Sequence, residues 1–274
     1  MFKRILECLH LFKFKQFFKI KKKLGQGGFG KVYLVSRKAD QKLLAVKRVE
    51  KSKVSVLVES TAGILPLELY CLKNLRHDNI VQTHGYLETK FHWNIFMEYL
   101  PNTMDLFDFV EEKKRLCESL ARDIFIQIHD AVTYCLSLGI DHRDIKDENI
   151  LIDTTTNKIK LIDFGSASLY DRSTPYTIGR GTEVFLPPEF FYKGYFYPIE
   201  GTTWALGCLV YKMVMGYYPF GSSEEVVDCK PRIVKVSPMC RSFLRLCLVR
   251  DPLERIEYKY LLKHPWFSLD RTHL

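Results

Sequence analysis

The sequence lacks the features that define several protein classes. No uninterrupted apolar run approaches the roughly 18 residues of a membrane-spanning helix, and lysines interrupt every apolar stretch near the start, so no cleavable signal pattern is found. The eight cysteines include no C-x-x-C pair and none of the Cys and His spacings of a zinc site. We therefore expect reduced, packing thiols in a soluble protein of the cytoplasm or nucleus.

The body of the chain also lacks a charge bias. Residues 1–23 hold eight basic residues against Glu7 alone, a net +7 of the total +9, so the remaining residues carry only about +2. We therefore expect no nucleic-acid partner. Residues 1–16 mix aromatic and basic residues and offer a minor membrane-contact hypothesis. We favour an edge strand at 18–24 with lysines on its wet face, preceded by a loosely ordered leader.

Hydrophobic spacing divides the chain into two parts. The composition, 47% hydrophobic and 27% charged over 274 residues, suits one large domain or two lobes. Up to about residue 100 the pattern predicts short strands with one helical patch, LELYCLKNL. From about residue 104 helical spacing dominates, and MEYLPNT at 97–103 is the only plausible joint. The predicted class is α+β, with a small β-rich lobe, one main helix in it, and a larger helical lobe.

A glycine-rich motif lies near the start of the β-rich part. Gly25, Gly27 and Gly30 form G-x-G-x-x-G in GQGGFG, which lets backbone N–H groups approach phosphates. A dinucleotide-binding fold requires a helix after this motif. Here an alternating strand, a polar turn and another strand follow, so the spacing predicts a hairpin instead.

Two further groups of polar residues suit phosphate chemistry. Lys47 ends the apolar strand LAVK, and Glu68 in the helical patch could hold it as an ion pair aimed at phosphates. Downstream, Asp144 to Asn149 reads D-x-K-x-x-N and Asp163 begins D-F-G. Carboxylate and amide oxygens are apt ligands for Mg²⁺ that keeps substrate phosphates in its shell.

Taken in order, these motifs resemble the eukaryotic protein kinases over about residues 18–267. The chain supplies GQGGFGKV, LAVK, HRDIKDEN, DFG and PPE, followed by WALG and DPLER. The resemblance implies a two-lobed kinase fold, ATP and Mg²⁺ as cofactors, and a monomer. It divides the chain into a basic leader (1–17), a kinase domain (18–267, with N-lobe 18–97, hinge 98–103 and C-lobe 104–267) and a tail (268–274).

The resemblance also implies a role for each matching residue. Asp144 would accept the substrate hydroxyl proton, Lys146 would neutralise the γ-phosphate, and Lys47 paired with Glu68 would contact the α- and β-phosphates. The implied metal ligands are Asn149 and Asp163. The implied ATP-binding residues are Leu24, Gly25, Gly27, Gly30, Val32, Ala45, Lys47, Met97, Glu98, Leu100 and Leu151. The implied structural residues are His142, Arg143, Glu189 and Arg255.

A finer resemblance is to the Pim-type serine/threonine kinases. It is carried by HRDIKDENILID, KLIDFGSA, DLFDFV, the Pro-Pro-Glu form of A-P-E and HPWF. Lys146 and Thr182 are typical of serine/threonine specificity. The resemblance implies protein substrates with arginines upstream of the target, which carboxylates could bind in bidentate fashion. The candidate substrate-binding residues are Asp105, Asp108, Asp147, Glu148 and Thr182, although a solvated acidic rim is the alternative for Asp105 and Asp108.

The sequence departs from this pattern in two places. Leu100 stands where Pim-type kinases carry a proline, so this position keeps a backbone amide. Asp141 precedes H-R-D where an apolar residue is usual, and a buried carboxylate needs a donor or cation, or a raised pKa.

The activation segment, 163–189, contains Ser166, Ser168, Ser173, Thr174, Tyr176 and Thr177. The resemblance implies activity without its phosphorylation, although Arg143 would allow a phosphate to order it. A pseudokinase that binds without phosphoryl transfer is the alternative, favoured only by Asp141.

Overall fold

The computed structural model describes residues 14–27, 30–61, 63–228 and 230–268. The chain divides into two compact units, residues 1–101 and 102–274. Most of the leader, residues 1–13, and the tail beyond residue 268 lie outside the described residues, and with them most of the membrane-contact hypothesis for residues 1–16.

The first unit is built on an antiparallel sheet of five strands in the order β1-β2-β3-β7-β6. A separate hairpin, β4 and β5, precedes the one main helix, α1. The elements are β1 (Phe18–Gly27), β2 (Gly30–Arg37), β3 (Leu43–Glu50), β4 (Leu57–Ser60), β5 (Gly63–Pro66), α1 (Leu67–Asn74), β6 (Thr83–Glu88) and β7 (His92–Glu98).

The predicted edge strand is β1, which among the described strands pairs only with β2 and carries exposed lysines. The residues just before it pack against the sheet. Residues 14–17 are helical, and Phe14 packs into the core with Val35, Val46 and Phe96. Its ring lies 5.2 Å from Phe18 and 6.2 Å from Phe96, centroid to centroid. The buried aromatic ring therefore anchors the end of the leader to the sheet.

The second unit is mainly helical. Its principal helices are α3 and α5, and α5 is buried along nearly its whole length because it is apolar on every face. The elements are β8 (Thr103–Asp105), α2 (Leu106–Lys113), α3 (Glu118–Ser137), β9 (Ile140–Asp141), β10 (Ile150–Asp153), β11 (Ile159–Leu161), β12 (Ser168–Leu169), α4 (Pro188–Lys193), α5 (Pro198–Met215), α6 (Ser223–Asp228) and α7 (Pro238–Cys247).

Small sheets in the second unit position the polar motifs. Strands β11, β10 and β8 form one sheet, and β12 pairs with β9 in another. Residues 142–149 connect β9 to β10, so both ends of this loop are fixed by strand pairing. The loop 162–167 is fixed in the same way between β11 and β12. Among the described residues, no helix has the length and apolar character that a membrane span requires.

Candidate functional site

A buried ion pair lies in the first unit. Lys47 of β3 and Glu68 of α1 approach to 2.5 Å between Nζ and Oε1, and their side chains are only 6% and 9% exposed. Two charges removed from water must compensate each other, because either one alone would be strongly unfavourable. The predicted partners are thus brought together.

The glycine-rich motif lies where β1 turns into β2. Gly25 and Gly27 are in β1, and Gly27 pairs with Gly30 at the start of β2. A Cβ at Gly30 would lie 2.4 Å from the carbonyl oxygen of Arg48, so this position accepts only glycine without a shift of β3. Residues 28 and 29 lie outside the described residues.

The other ATP-binding candidates of this unit follow from strand register. Val32 lies opposite Lys47, and Ala45 lies opposite Met97. Because side chains alternate along a strand, these four residues share one face of the sheet. At the end of β7, the Glu98 carboxylate accepts the Gln82 N–H at 2.8 Å. Leu24 is 40% exposed and Leu100 is half-buried.

In the second unit, the loop 142–149 gathers the predicted catalytic residues. The Asn149 side-chain amide donates to the carbonyl oxygen and to Oδ2 of Asp144, both at 2.8 Å. Lys146 Nζ lies 3.7 Å from Asp144 Oδ2 and donates to Thr182 Oγ1 at 2.9 Å. Burial lowers the pKa of Lys146, but the bond to Glu148 and the charge of Asp144 outweigh it and raise that pKa. Lys146 is therefore held as a cation beside Asp144.

Asp144 itself is closely surrounded. Its Oδ1 is buried and has no hydrogen-bond partner among the described residues, whereas Oδ2 accepts from Asn149. Gly181 has φ +90°, and a Cβ there would lie 2.6 Å from Asp144 Oδ1. Only glycine combines this left-handed backbone with this close approach. Gly181, the glycine of R-G-T-E, therefore allows the backbone to pass close to Asp144.

His142 joins this loop to the segment around Asp163. Its Nδ1 accepts the Asp144 N–H at 3.3 Å, so Nε2 carries the proton and donates to the Ile162 carbonyl at 2.9 Å. The Ile162 N–H in turn donates to the Asn149 carbonyl at 2.9 Å. Asp163 has the left-handed φ of 60°, and its Oδ1 accepts the Gly165 N–H at 3.0 Å. Such strained backbone clusters at functional sites.

The structure contains the parts that the sequence led us to expect. These are a lysine–glutamate pair, a glycine-rich turn, and an Asp-Lys-Asn loop connected to Asp-Phe-Gly. The model of the protein kinase domain family matches residues 18–267. The chain belongs to the protein kinase family.

Individual relatives agree with this result. Serine/threonine-protein kinase pim-2 of Danio rerio is 37% identical over 255 residues, which are 89% of this chain and 82% of that protein. Serine/threonine-protein kinase prk-2 of Caenorhabditis elegans is 35% identical over 260 residues, 93% of this chain and 59% of that protein. Maternal embryonic leucine zipper kinase of Xenopus tropicalis is 34% identical over 263 residues, which are 92% of this chain and 39% of that protein. The chain thus spans less than two thirds of the last two.

These relatives confirm several expectations from the sequence. The kinase domain is that of a serine/threonine protein kinase, it is similar to the Pim-type kinases, and it has the two-lobed α+β kinase fold. The five-stranded sheet and the helical second unit correspond to the two predicted lobes.

A second buried ion pair lies where the activation segment of the kinase domain ends. The two terminal guanidinium nitrogens of Arg255, Nη1 and Nη2, donate to the Glu189 carboxylate at 2.9 and 2.8 Å. The two side chains are at most 3% exposed. Arg255 also donates to the carbonyl oxygens of Glu200 and Val249. This bidentate geometry uses the planar fork that distinguishes arginine from lysine.

The five candidate substrate-binding residues differ in accessibility. Asp147 is fully buried, and both of its carboxylate oxygens accept the Tyr218 hydroxyl, at 3.1 and 3.0 Å. The structure therefore gives Asp147 a role in holding the loop, and its expected contact with substrate is not supported. Asp105 caps α2 through the Asp108 N–H, and burial raises its pKa. Asp108 is exposed, and the Glu148 side chain is 55% exposed while pairing with Lys146 at 2.8 Å.

The structure also supplies the donors that Asp141 required. Asp141 is buried, and its Oδ1 accepts the Arg143 N–H at 3.1 Å. Tyr176 lines the same cavity as Asp141, and its side chain acts to lower the pKa of this carboxyl group. Neither Tyr176 nor Tyr218 was singled out as a partner from the sequence. The only signal was indirect: a carboxylate in an apolar position demands a donor, and does not say which one.

Proposed function

We propose that this kinase domain transfers the γ-phosphate of ATP to serine and threonine hydroxyls of proteins. One observation carries the proposal: Asp144, Lys146, Asn149 and Thr182 form one cluster, linked by hydrogen bonds and by the ion pair of Lys146 with Asp144. Asp144 Oδ2 is occupied by Asn149, whereas Oδ1 has no partner among the described residues. Oδ1 is thus the atom proposed to orient the substrate hydroxyl and to accept its proton.

Two lysines would balance the charges of the reaction. Lys146, already paired with Thr182, would neutralise the transferred phosphoryl group, and Lys47 would contact the α- and β-phosphates. The oxygen donors fit magnesium. The Asn149 NH₂ group donates to Asp144, so its amide oxygen could bind the metal together with the Asp163 carboxylate. A bound magnesium ion would neutralise phosphate charge.

The remaining ATP contacts stay as the sequence suggests. The N–H groups of the glycine-rich turn would cover the phosphates. The adenine would lie against apolar side chains, and the backbone after Met97 would bind its polar edge. The proposed residues are Leu24, Gly25, Gly27, Gly30, Val32, Ala45, Met97, Glu98, Leu100 and Leu151.

Substrates with arginines upstream of the target are part of this proposal. Asp108 and Glu148 are the accessible carboxylates of the predicted set, and Asp105 is half-buried. An exposed carboxylate can accept two parallel N–H bonds from one guanidinium group, which would select arginine over lysine.

We also propose that the kinase domain is active without phosphorylation of its activation segment. The Arg143 guanidinium, the expected phosphate ligand, already lies 3.8 Å from the Tyr176 ring centre and donates to the Ile178 carbonyl at 2.5 Å. The segment thus has contacts to this arginine in its unmodified form. Phosphatase treatment should leave the activity nearly unchanged, and a large loss would contradict this part.

A radiolabelled-phosphate assay tests the main proposal. Incorporation into a peptide with arginines upstream of serine is measured with Mg-ATP. Asp144→Asn removes the proton acceptor and should lower the rate about 100-fold or more. Lys47→Met removes the cation proposed to contact the α- and β-phosphates and should lower the rate similarly.

The matched controls are Asp123→Asn and Lys21→Met, since both side chains are exposed and neither belongs to the proposed site. They should retain wild-type incorporation. Equal incorporation by wild type, Asp144→Asn and Lys47→Met would reject phosphoryl transfer and favour a binding module.

A further inference from the structure

Asp141 lies at the point where the activation segment meets the catalytic loop. It ends β9, is only 4% exposed, and pairs with Ser168 of β12, inside the activation segment. Its Oδ1 accepts the backbone N–H of Arg143, two residues on. Asp141 therefore contacts the loop that carries Asp144 through its carboxylate and the activation segment through its backbone.

Tyr176 completes this contact from the middle of the activation segment. Its hydroxyl lies 2.8 Å from Oγ of Ser168, the residue that pairs with Asp141, and its side chain lines the same cavity as Asp141. The Tyr176 backbone exchanges two hydrogen bonds with Phe196, at 2.8 and 3.1 Å, and the two rings meet edge to face. Tyr176 is thus fixed on both its backbone and its side chain.

Arg143 transmits this arrangement to Asp144. Its guanidinium group lies over the Tyr176 ring at 3.8 Å and donates to the Ile178 carbonyl, while its backbone has the left-handed φ of 62°. A non-glycine residue keeps such a conformation only when its surroundings impose it. The Asp141 carboxylate receives the N–H of this strained residue, directly before Asp144. The bond therefore fixes the backbone that positions Asp144.

We propose that Asp141 and Tyr176 are positioning residues that set the backbone of Arg143 and Asp144 and hold the unmodified activation segment in place. This inference rests on the proposed function, because it names the contact that would make phosphorylation of the segment unnecessary. It also gives a purpose to the one charge that the kinase family pattern did not explain.

Titration provides a signature of this role. Burial raises the pKa of Asp141 to about 6, while the Tyr176 side chain and the backbone N–H and charge of Arg143 act in the opposite direction. Removing the Tyr176 hydroxyl should therefore raise this pKa further. The charged or titratable groups around Asp141 are Arg143, Tyr176, Asp144, Arg180, Tyr170 and Tyr258.

Hydrogen–deuterium exchange tests the positioning without requiring activity. Tyr176→Phe keeps the ring and removes the hydroxyl, so the amides of Tyr176 and Phe196 should exchange about three- to tenfold faster, as expected for one lost hydrogen bond. Tyr195→Phe, at an exposed tyrosine of the same unit, is the matched control and should leave these rates unchanged. Wild-type exchange in Tyr176→Phe would overturn the proposal even if the domain is an active kinase.

The pH profile of kcat separates positioning from a general loss of stability. In Tyr176→Phe the acid limb of the profile should move to higher pH, because Asp141 then ionises at higher pH. In the Asp141→Asn background the same Tyr176→Phe change should not move the limb, since the titrating group is gone. A limb that stays in place in the single variant, or moves equally in both backgrounds, would overturn the proposal. If Asp141→Asn does not fold, the single variant and its exchange rates decide.

Discussion

Two buried carboxylates hold the activation segment of this kinase domain, and they are stabilised differently. Glu189, where the segment ends, faces Arg255 in a bidentate ion pair. Asp141, which pairs with Ser168 of the segment, receives a hydrogen bond from a backbone N–H, and the Tyr176 side chain and the Arg143 charge favour its ionised form. An ion pair compensates the buried charge, whereas dipolar donors compensate it only in part. The first contact is therefore a permanent anchor, and the second can titrate near neutral pH.

The largest expected effect comes from breaking the ion pair. Arg255→Met leaves the Glu189 carboxylate buried without a cation, which should lower the free energy of unfolding by about 3–5 kcal/mol. Urea denaturation followed by circular dichroism measures the change. Arg245→Met, at an exposed arginine of α7, is the matched control and should change stability by less than about 0.5 kcal/mol.

The double variant Arg255→Met with Glu189→Met separates loss of packing from the stranded charge. Two apolar side chains need no compensation, so the double variant should recover much of the lost stability. If the single and double variants are equally unstable, the unpaired carboxylate is not the cause of the lost stability. Glu189 would then resemble Asp141 in not depending on a cation.

An effect of intermediate size should appear when the contribution of Asp141 to the pH dependence of stability is removed. Its pKa is raised from 3.8 to about 6 mainly by burial, so the folded state binds the proton more tightly than the unfolded state. The resulting stability is fully present below about pH 4 and is lost as pH rises through about 6. At roughly 1.4 kcal/mol per pKa unit, the loss is about 3 kcal/mol.

Asp141→Asn cannot titrate and should not show this loss. Its free energy of unfolding relative to wild type should rise by about 3 kcal/mol between pH 4 and pH 6.5 and stay constant above pH 7. Asp123→Asn, at an exposed aspartate, supplies the background in parallel urea titrations. A difference that does not change with pH would mean that Asp141 is as well compensated as Glu189.

The difference between the two carboxylates also marks how far the sequence could predict this molecule. Glu189 and Arg255 could be paired because each lies in a short motif, and Lys47 and Glu68 likewise. Tyr176 is 35 residues from Asp141, and Tyr218 is 71 from Asp147, with no periodicity linking either pair. Such contacts depend on tertiary packing of separate segments, so neither the donor of Asp141 nor the burial of Asp147 could be predicted.

Fold class was predictable for a similar reason. Strands β1, β2, β3 and β7 alternate or are continuously apolar, and the main helices show helical spacing, so local pattern was sufficient. The hairpin of β4 and β5 was missed because its strands are four residues long and largely exposed. The packing of Phe14 was missed because the aromatic residues around it are mixed with lysines and show no clear period.

The smallest expected effect concerns Glu148, the exposed counterpart of the two buried carboxylates. Solvent surrounds more than half of its side chain, so a bond to a substrate arginine should contribute only about 0.5–1 kcal/mol and weaken with salt. Glu148→Gln should therefore raise KM for an arginine-containing peptide about two- to fivefold at low ionic strength, with kcat nearly unchanged. Steady-state assays at low and high salt measure this, with Asp123→Asn as the control.

Because Glu148 also pairs with Lys146, a fall in kcat with KM unchanged would assign it to holding that lysine instead. In that case Glu148 would act within the loop 142–149, and Asp108 would remain the exposed candidate for arginine recognition.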